Sequence, residues 1–362
     1  MSLRSILPSW KIQREWLRLK QQVSQVEWLF FGAMRRASYD RNRHKLVSVT
    51  EGNQPLCPDV AVILIFQPKG ILPSLIEELT HFTTNGISPV VISNCPLSVA
   101  DRGLLQAHCH LVIERPNFGY DFGGYREGIL VLSERGAQIR NLFVKNDSIW
   151  FPVSNDCTLL DRALESKSDI YGIYLNETPK QAHRAHLQSY FYRFSPRLVN
   201  DPIFLDYWRN ILLTDNKFMV IRQCEMKLTE AFRAKGFSIE PLYRMSDMQT
   251  ALKALSNAEL EDVLHYQIQV DTRSIHSVGG LMGHSGEPGW REKVEALIDQ
   301  GKVGKYFLIA HPLALIQNLH CPILKKDRQP MYRLQRAEIS RAGMAMLLPD
   351  VVRSEIMTWD AA

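Results

Sequence analysis

The stretch Val60-Ala61-Val62-Ile63-Leu64-Ile65-Phe66 is an unbroken apolar run of seven residues. A membrane-spanning helix needs about 18 or more apolar residues, so this run is too short to cross a bilayer. Its length is typical of a strand that is buried on both faces of a sheet. The segment Pro73–Thr84 follows and is predicted to be a helix with proline in its first turn. Strand, short connection and helix together indicate the start of a βαβ unit.

The same alternation continues along the chain. Further strands are predicted at Ser88–Ser93, His110–Glu114, Asn141–Lys145 and Asp169–Leu175, and further helices at Leu97–Ala107, Phe122–Arg135 and Asp156–Glu165. The aromatic-rich stretch His186–Phe194 is predicted to be one additional strand. Strands that alternate with helices over short connections predict an α/β protein with a Rossmann-type, mainly parallel sheet flanked by helices.

Three zones divide the chain. Residues 1–55 are predicted to be a basic amphipathic N-terminal arm and linker, residues 56–250 the α/β core, and residues 251–362 a mostly helical region. In the arm, Trp10 to about Ala37 is predicted to be a helix, and the polar segment Arg35–Pro58 has the composition of a linker. The clearer helices of the third zone are predicted at Ala258–Gln269, Arg291–Gln300 and Pro312–Leu319.

The basic excess is confined to the arm. The whole chain has a formal net charge of +5, whereas residues 1–45 carry ten basic and three acidic residues, which leaves the remainder at −2. A nearly neutral body argues against a nucleic-acid-binding domain. Tryptophans and arginines in residues 10–45 are typical of a helix on an anionic membrane surface. The alternative is an arm helix that packs on the third zone.

The six cysteines are scattered, and none forms a Cys-x-x-Cys pair. This spacing argues against a disulfide framework or a structural zinc site and favours buried thiols in a reducing compartment. A secretory leader pattern is also missing from the first residues. The sequence therefore predicts a cytoplasmic protein, either free or peripheral on the inner face of the plasma membrane.

Polar residues follow the predicted strand His110–Glu114, in the run Arg115-Pro-Asn117-Phe-Gly119-Tyr-Asp121-Phe-Gly-Gly-Tyr-Arg126. Ligands of open α/β sheets bind beyond the carboxyl ends of the strands. Glycines allow the backbone to approach a ligand, and Asp121 could accept hydrogen bonds from a sugar hydroxyl. The alternative is structural, with Asp121 capping a helix and the glycines forming a tight turn.

Asn146-Asp147-Ser148 follows the predicted strand Asn141–Lys145. A carboxylate at this edge can coordinate a divalent cation, Mg²⁺ or Mn²⁺, that bridges two phosphates. The same tripeptide is also common in turns.

Further along the chain, His183 and His186 would face opposite sides of a strand, which disfavours a shared metal. His186 and Gln188 are instead predicted to bind a hydroxylated substrate or to be satisfied, half-buried polar residues. Glu225 precedes the predicted helix Met226–Lys235, where it either favours the helix dipole or acts as a general base.

Several separated stretches occur together in one order. They are Arg115–Gly123, Lys145–Ser148, Tyr171-Gly172, His186–Phe191, Glu225, His311-Pro312, Pro322 and Lys325. In this combination the sequence resembles the rhamnan synthesis protein F family, bacterial glycosyltransferases of cell-surface polysaccharide synthesis. The core also looks like a GT-A glycosyltransferase, from which it departs by having Asn146 and Ser148 around a single acid in place of Asp-x-Asp.

The resemblance implies a set of roles. It places Arg115, Asn117, Gly119 and Asp121 near a sugar nucleotide, with Asn146, Ser148, His186 and Gln188 as further substrate-binding residues. It also implies Asp147 as the catalytic residue that holds the metal and the diphosphate, Glu225 as the base, and Arg115 or Arg126 as stabilisers of the leaving charge. The implied reaction is an inverting transfer of L-rhamnose from dTDP-L-rhamnose to a growing polysaccharide or lipid-linked lipopolysaccharide glycan. The competing hypothesis is a non-catalytic glycan- or nucleotide-binding scaffold on the same fold, which the reduced acidic motif favours.

Overall fold

The computed structural model describes residues 31–177 and 184–361. Its strands are β1 Ser48–Glu51, β2 Asp59–Ile65, β3 Ile87–Ser93, β4 Leu111–Glu114, β5 Asn141–Asn146, β6 Ile149–Trp150, β7 Ile170–Asn176, β8 His186–Leu187, β9 Phe191–Phe194, β10 Ile239–Tyr243 and β11 Leu324–Lys325. Its α-helices are α1 (residues 31–46), α2 Pro73–Thr84, α3 Val99–His108, α4 Tyr120–Glu134, α5 Leu159–Glu165, α6 Pro196–Val199, α7 Pro202–Asn210, α8 Lys217–Val220, α9 Met226–Arg233, α10 Met245–Lys253, α11 Asn257–Val270, α12 Ile275–Val278, α13 Trp290–Asp299, α14 Pro330–Arg341 and α15 Asp350–Ala361. Two π-helical segments cover Ile221–Glu225 and Leu313–Asn318.

Nine strands of the described residues form one sheet, in the order β1-β4-β3-β2-β5-β9-β7-β10, with β8 paired to β7. The four strands β4, β3, β2 and β5 run parallel to one another, and β10 runs parallel to β7. The α/β class predicted from the sequence, a sheet flanked by helices, is confirmed. One strand, β9, runs antiparallel between β5 and β7 because β8 folds back on β7 and leads directly into it.

The apolar run that begins at Val60 lies at the centre of this sheet. Side chains of a strand alternate between its two faces. Ala61, Ile63 and Ile65 accordingly belong to one hydrophobic core, and Val60, Val62 and Leu64 to the core on the opposite face. The strand therefore separates two helix-covered layers, which explains why its sequence is continuously apolar.

Helix α4 approaches the sheet closely because of its glycines. A Cβ atom at Gly124 would lie 2.2 Å from Cδ1 of Leu64, and one at Gly128 would lie 2.8 Å from Cγ1 of Val62. Part of the glycine-rich run after β4 is thus explained by helix–sheet packing. This close packing fixes the position of α4 relative to β2, the strand that lies beside β5.

The prediction of a linker over residues 35–58 is wrong. Helix α1 continues to residue 46, and β1 then pairs with β4 at the edge of the sheet. The helix is held on α4 by polar contacts: Asp40 accepts two hydrogen bonds from Arg126, and both Tyr39 and Arg43 donate to Glu127. These partners are more than 80 residues away in the chain, so local composition did not indicate them. Residues 10–30 of the predicted arm helix lie outside the described residues.

The single strand predicted over His186–Phe194 is two short strands. Residues 188–190 leave the strand geometry between β8 and β9, and the hydroxyl group of Tyr125 donates to the Ser189 carbonyl at 2.8 Å. The break takes three polar residues, Gln188, Ser189 and Tyr190, out of the strand pairing.

Beyond β10 the chain is helical apart from β11, which pairs with β6 of the core. Helix α15 is anchored by the buried carboxylate of Glu355, which accepts hydrogen bonds from the backbone and hydroxyl of Ser74 and from the Trp150 indole. The C-terminal region is therefore attached directly to the end of β5, because β6 follows β5 after two residues.

Across residues 31–177 and 184–361, the helices are too short or too polar to cross a membrane.

Candidate functional site

A cavity of 740 Å³ lies beyond the carboxyl ends of β5 and β7 and beside the first turn of α4. The C-terminal region also lines it, through residues that include Phe307 and Lys325. A smaller cavity of 260 Å³ shares Ser148, Lys325 and Asp327 with the larger one. This is the edge at which open α/β sheets bind their ligands.

Two residues of the turn after β5 organise the wall of the larger cavity. The Asn146 amide donates to Oδ2 of Asp121 at 2.9 Å, and its Oδ1 accepts from the backbone and hydroxyl groups of Ser148. The Ser148 oxygen in turn accepts a hydrogen bond from Nζ of Lys325 at 3.0 Å. One chain of hydrogen bonds therefore connects Asp121 on α4 to Lys325 on β11.

Asp147 points to the other side of this turn. Its Oδ2 accepts hydrogen bonds from the backbone N–H of Phe66 at 2.9 Å and from Nε2 of Gln67 at 3.3 Å. It lines the smaller cavity, whereas its two neighbours line the larger one. Asp147 therefore fixes the segment that follows β2.

The ionisation of Asp121 is shifted by its surroundings. Shelter from solvent raises the pKa of Asp121 to about 6, and the negative charges of Asp147 and Glu225 act in the same direction against the charge of Lys325 and the Asn146 hydrogen bond. This carboxyl group therefore changes its charge near neutral pH.

Glu225 lies within a helix and not at its start. Helix α8, the π-helical segment Ile221–Glu225 and α9 follow one another without interruption, so the sequence prediction that Glu225 occupies a first turn is wrong. A π-helical segment changes which side chains face the sheet and is frequent at functional sites. Oε2 of Glu225 accepts hydrogen bonds from the backbone N–H and hydroxyl of Ser189, and Oε1 lies 3.7 Å from Nε2 of His186.

The turn between β8 and β9 presents polar atoms to the larger cavity. Among the described residues, Oε1 of Gln188 and the hydroxyl oxygen of Tyr190 are buried without a hydrogen-bond partner. A buried polar atom left unpaired costs about 1–3 kcal/mol, so such atoms need a reason. Both residues line the cavity, where a hydroxylated ligand would supply the missing partners.

Comparison with known proteins adds to this geometry. A family model described as rhamnan synthesis protein F matches residues 89–264. The uncharacterized protein y4gN of Sinorhizobium fredii (strain NBRC 101917 / NGR234) is 40% identical over 360 residues, which cover 99% of this chain and 94% of that protein. The chain belongs to the rhamnan synthesis protein F family. Membership confirms the resemblance drawn from the sequence.

Two further similarities extend the comparison. This member of the rhamnan synthesis protein F family is 34% identical to the virulence protein VirA of Vibrio anguillarum over 146 residues, 39% of this chain and 45% of that protein. Among solved structures it is similar to the mannosyltransferase PcManGT from Pyrobaculum calidifontis in complex with GDP-Man and Mn²⁺. That likeness has a TM-score of 0.32 at 10% identity and covers 93% of this chain and 94% of the other.

The residues predicted for substrate binding and catalysis lie in different places in this family member. Those that line the larger cavity are Asp121, Asn146, Ser148, Gln188 and Glu225. His186 lies beside Glu225, and Asp147 lies on the smaller cavity.

The start of the loop before α4 has a structural explanation. Arg115 is buried and donates to Oδ1 of Asn94 and to a backbone carbonyl of its own loop. Asn117 accepts a hydrogen bond from the amide of the same Asn94 at 3.0 Å. Gly119 has a φ of 82° and caps α4, a left-handed conformation that favours glycine. These three residues do not line either cavity among the described residues, and their contacts are those of a structural turn. Their role in binding a sugar nucleotide stays a prediction.

The same is true of Arg126, whose guanidinium group is buried between Asp40 and the Trp208 carbonyl. It therefore lies among structural partners and not at the cavity.

Sequence reasoning assigned no role to Ser189, Tyr190 or Lys325, although all three line the larger cavity. Ser189 and Tyr190 stood inside a stretch interpreted as a continuous strand. Their polar groups interrupt an otherwise aromatic pattern, and that interruption was the available signal. Lys325 occurs in the family pattern, but only the pairing of β11 with β6 brings it to β5.

The residues around Asp147 do not form a site that would hold a divalent cation through protein ligands alone. Magnesium and manganese prefer several oxygen ligands, usually carboxylates with water and substrate phosphates. Within the described residues, no group of three or more His, Cys, Asp or Glu side chains is arranged to hold a metal ion. Oδ2 of Asp147 is engaged by two N–H groups, and the ammonium groups of Lys325 and Lys326 line the same small cavity. His183 lies outside the described residues.

Proposed function

We propose that the larger cavity binds a nucleotide-activated sugar and that the protein transfers this sugar to a hydroxyl group of a growing cell-surface glycan. One observation carries the proposal. The cavity combines the carboxylates of Asp121 and Glu225 and the ammonium group of Lys325 with the unpartnered polar atoms of Gln188 and Tyr190. A base, a positive charge for a diphosphate and partners for sugar hydroxyls are the groups that this transfer requires.

The reaction forms one bond and breaks another at the anomeric carbon. The acceptor oxygen attacks that carbon, and the electron pair of the carbon–oxygen bond to phosphate leaves with the nucleoside diphosphate. The acceptor proton passes to a carboxylate, a role that we assign to Glu225. Its Oε2 is fixed by Ser189, which leaves Oε1 with no hydrogen bond from the described residues. Attack opposite the leaving group inverts the anomeric centre.

The donor side of the reaction involves the smaller cavity. Asp147 holds the segment Phe66-Gln67 in place, and this segment lines the smaller cavity with Lys325 and Lys326. We infer that Asp147 positions this segment for the donor and that the diphosphate lies where the two cavities meet. By family membership, dTDP-L-rhamnose is the first donor to test, with a polysaccharide or lipopolysaccharide glycan as acceptor.

The test is a donor screen with the purified full chain. We expect one of dTDP, UDP and GDP to bind in titration calorimetry, and the corresponding sugar nucleotide to yield a glycosylated product that mass spectrometry detects with a lipid-linked acceptor extract. Absence of binding by all three nucleotides would contradict the proposal. Binding without transfer or hydrolysis across the donor panel would support the non-catalytic scaffold.

A lipid-linked acceptor would bring the enzyme to a membrane surface. The basic residues of segment 10–45 are suited to anionic lipid. In the described part of the arm, Arg36 donates to the Asn210 carbonyl and Arg43 to Glu127, whereas Phe31 and Met34 are exposed. The acceptor extract is therefore presented in both anionic and zwitterionic vesicles, and equal rates in the two would contradict a surface contact.

Tyr190→Phe is expected to leave the fold as stable as before, or slightly more stable, while weakening donor or acceptor binding about tenfold. The substitution removes a buried hydroxyl that has no partner among the described residues, so folding loses nothing and a ligand loses one hydrogen bond. Tyr192→Phe is the matched control, because the Tyr192 hydroxyl donates to the Leu187 carbonyl at 3.2 Å and its loss should lower stability. Thermal unfolding and titration calorimetry measure the two effects separately. A destabilised Tyr190→Phe variant with normal binding would show that the hydroxyl is structural.

A further inference from the structure

We propose that Lys325 is the cationic group that binds the diphosphate of the donor, in the place where a protein-held metal ion would otherwise act. This inference rests on the proposed function, because it names the residue that receives the leaving group. The chemical class of the ligand is a diphosphate ester or the free diphosphate that remains after transfer.

The position of Lys325 supports this proposal. Lys325 lies on β11, directly opposite Ile149 of β6, and the backbone N–H of Lys326 donates to the Ser148 carbonyl at 2.9 Å. The pairing places the ammonium group where both cavities meet, since Lys325 lines each of them. A diphosphate that extends from one cavity to the other would pass this group.

The unused hydrogen-bonding capacity of Lys325 is the second argument. Its ammonium group has three donors, of which one is given to the Ser148 hydroxyl at 3.0 Å. The ammonium also lies 4.6 Å from the centre of the Tyr190 ring. Among the described residues, no carboxylate oxygen lies within 4.0 Å of this nitrogen. A sheltered cation without an ion-pair partner is suited to an anionic ligand.

The surrounding charges explain how this ammonium group titrates. Burial lowers the pKa of Lys325 to about 8, and Lys217 on α8 acts in the same direction. Asp121 on α4, Glu225 on the π-helical segment and Asp327 on the following loop act in the opposite direction. In the free protein the lysine is therefore charged below about pH 8 and loses its charge above it.

A second lysine reinforces the positive potential. Lys326 is buried beside Lys325, donates to the Ser74 hydroxyl at 3.2 Å and lines the smaller cavity. Bond cleavage adds a negative charge to the departing diphosphate, and a fixed ammonium group stabilises that charge more in the transition state than in the bound donor.

Binding measured without chemistry tests the inference. The ligands are inorganic pyrophosphate and the nucleoside diphosphate selected by the donor screen, each titrated with EDTA and with Mn²⁺. The proteins are the wild-type chain, Lys325→Met, Lys325→Arg and the control Lys235→Met, an exposed lysine in the turn after α9. We expect wild-type and Lys235→Met to bind both ligands in EDTA, and Lys325→Met to bind at least about tenfold more weakly, with melting temperatures showing that each variant is folded.

A pH series supplies a second measurement. Wild-type affinity for pyrophosphate should fall as the pH rises through about 8, because the ammonium group deprotonates. Lys325→Arg should retain its affinity at pH 9, since arginine stays charged. A fall that is equal in wild-type and Lys325→Arg would contradict the assignment to Lys325.

The outcomes separate the two proposals. Nucleoside diphosphate binding that requires Mn²⁺ and is unchanged in Lys325→Met would overturn the lysine site and leave the transferase proposal standing. Lysine-dependent pyrophosphate binding without any nucleotide binding would support the anion site and contradict the transferase. A wild-type protein that binds neither ligand would overturn both.

Discussion

Glu225→Gln is expected to lower the rate of sugar transfer about 10²- to 10⁴-fold while changing the affinity for the donor little. Glutamine has the same shape as glutamate and can still accept the hydrogen bonds from Ser189, so the wall of the cavity should remain in place. It cannot accept a proton at neutral pH, and the acceptor hydroxyl therefore loses its base. The effect should appear in kcat, measured as the rate of nucleoside diphosphate release with both substrates saturating.

Glu230→Gln is the matched control for this prediction. Glu230 lies on α9, the same continuous helix, but its side chain is exposed and outside the cavity. Its rate should equal that of wild type. A Glu225→Gln variant with an unchanged rate would exclude Glu225 as the base and direct attention to Asp121, another carboxylate that lines the cavity.

The secondary structure of the core could be predicted because its signals are local. The strand that begins near Val60 and the helix Pro73–Thr84 follow from apolar periodicity and from proline at a helix start, and the structure gives Asp59–Ile65 and Pro73–Thr84. The prediction for residues 35–58 failed because the interactions that determine their structure are not local. Its helix and edge strand depend on partners in α4 and β4, and its own composition is that of a loop.

The site was predictable where a strand ends in polar residues. Asn146 and Ser148 line the cavity because the carboxyl ends of parallel strands meet at one edge, which the sequence pattern already implies. Asp147 lies between them and points to the other side, and only the hydrogen bonds to Phe66 and Gln67 show which cavity it faces.

The positions of Lys325 and Glu225 could not be predicted from the local sequence pattern. Lys325 reaches Ser148, which lies 177 positions away in the chain, through the pairing of β11 with β6. Glu225 looks like a first-turn residue in the sequence, whereas the π-helical segment before it continues a helix that has already begun. Long-range pairing and an extra residue in a helical turn leave no mark on apolar periodicity, so neither position could be derived without the fold.

The loop before α4 illustrates a different difficulty, since turns and ligand-binding loops use the same residue types. Glycine, asparagine and a buried arginine are equally suited to closing a tight turn and to approaching a phosphate. The contacts of Arg115 and Asn117 with Asn94 favour the turn. Asp121, in the first turn of α4, differs from them, because its hydrogen bond with Asn146 places it on the cavity wall.

Gly123→Ala is expected to destabilise the protein by about 3 kcal/mol, because the added methyl group has no room. A Cβ atom at Gly123 would lie 2.1 Å from the Phe118 carbonyl oxygen and 3.0 Å from Nη2 of Arg115, and a backbone atom cannot move aside as a side chain can. Gly103→Ala is the control: Gly103 lies in α3 with nothing within 4 Å of its added methyl group, so alanine should raise stability by about 0.5–1 kcal/mol. Chemical denaturation of both variants measures the difference. Equal stabilities would show that the loop shifts freely and would contradict the prediction.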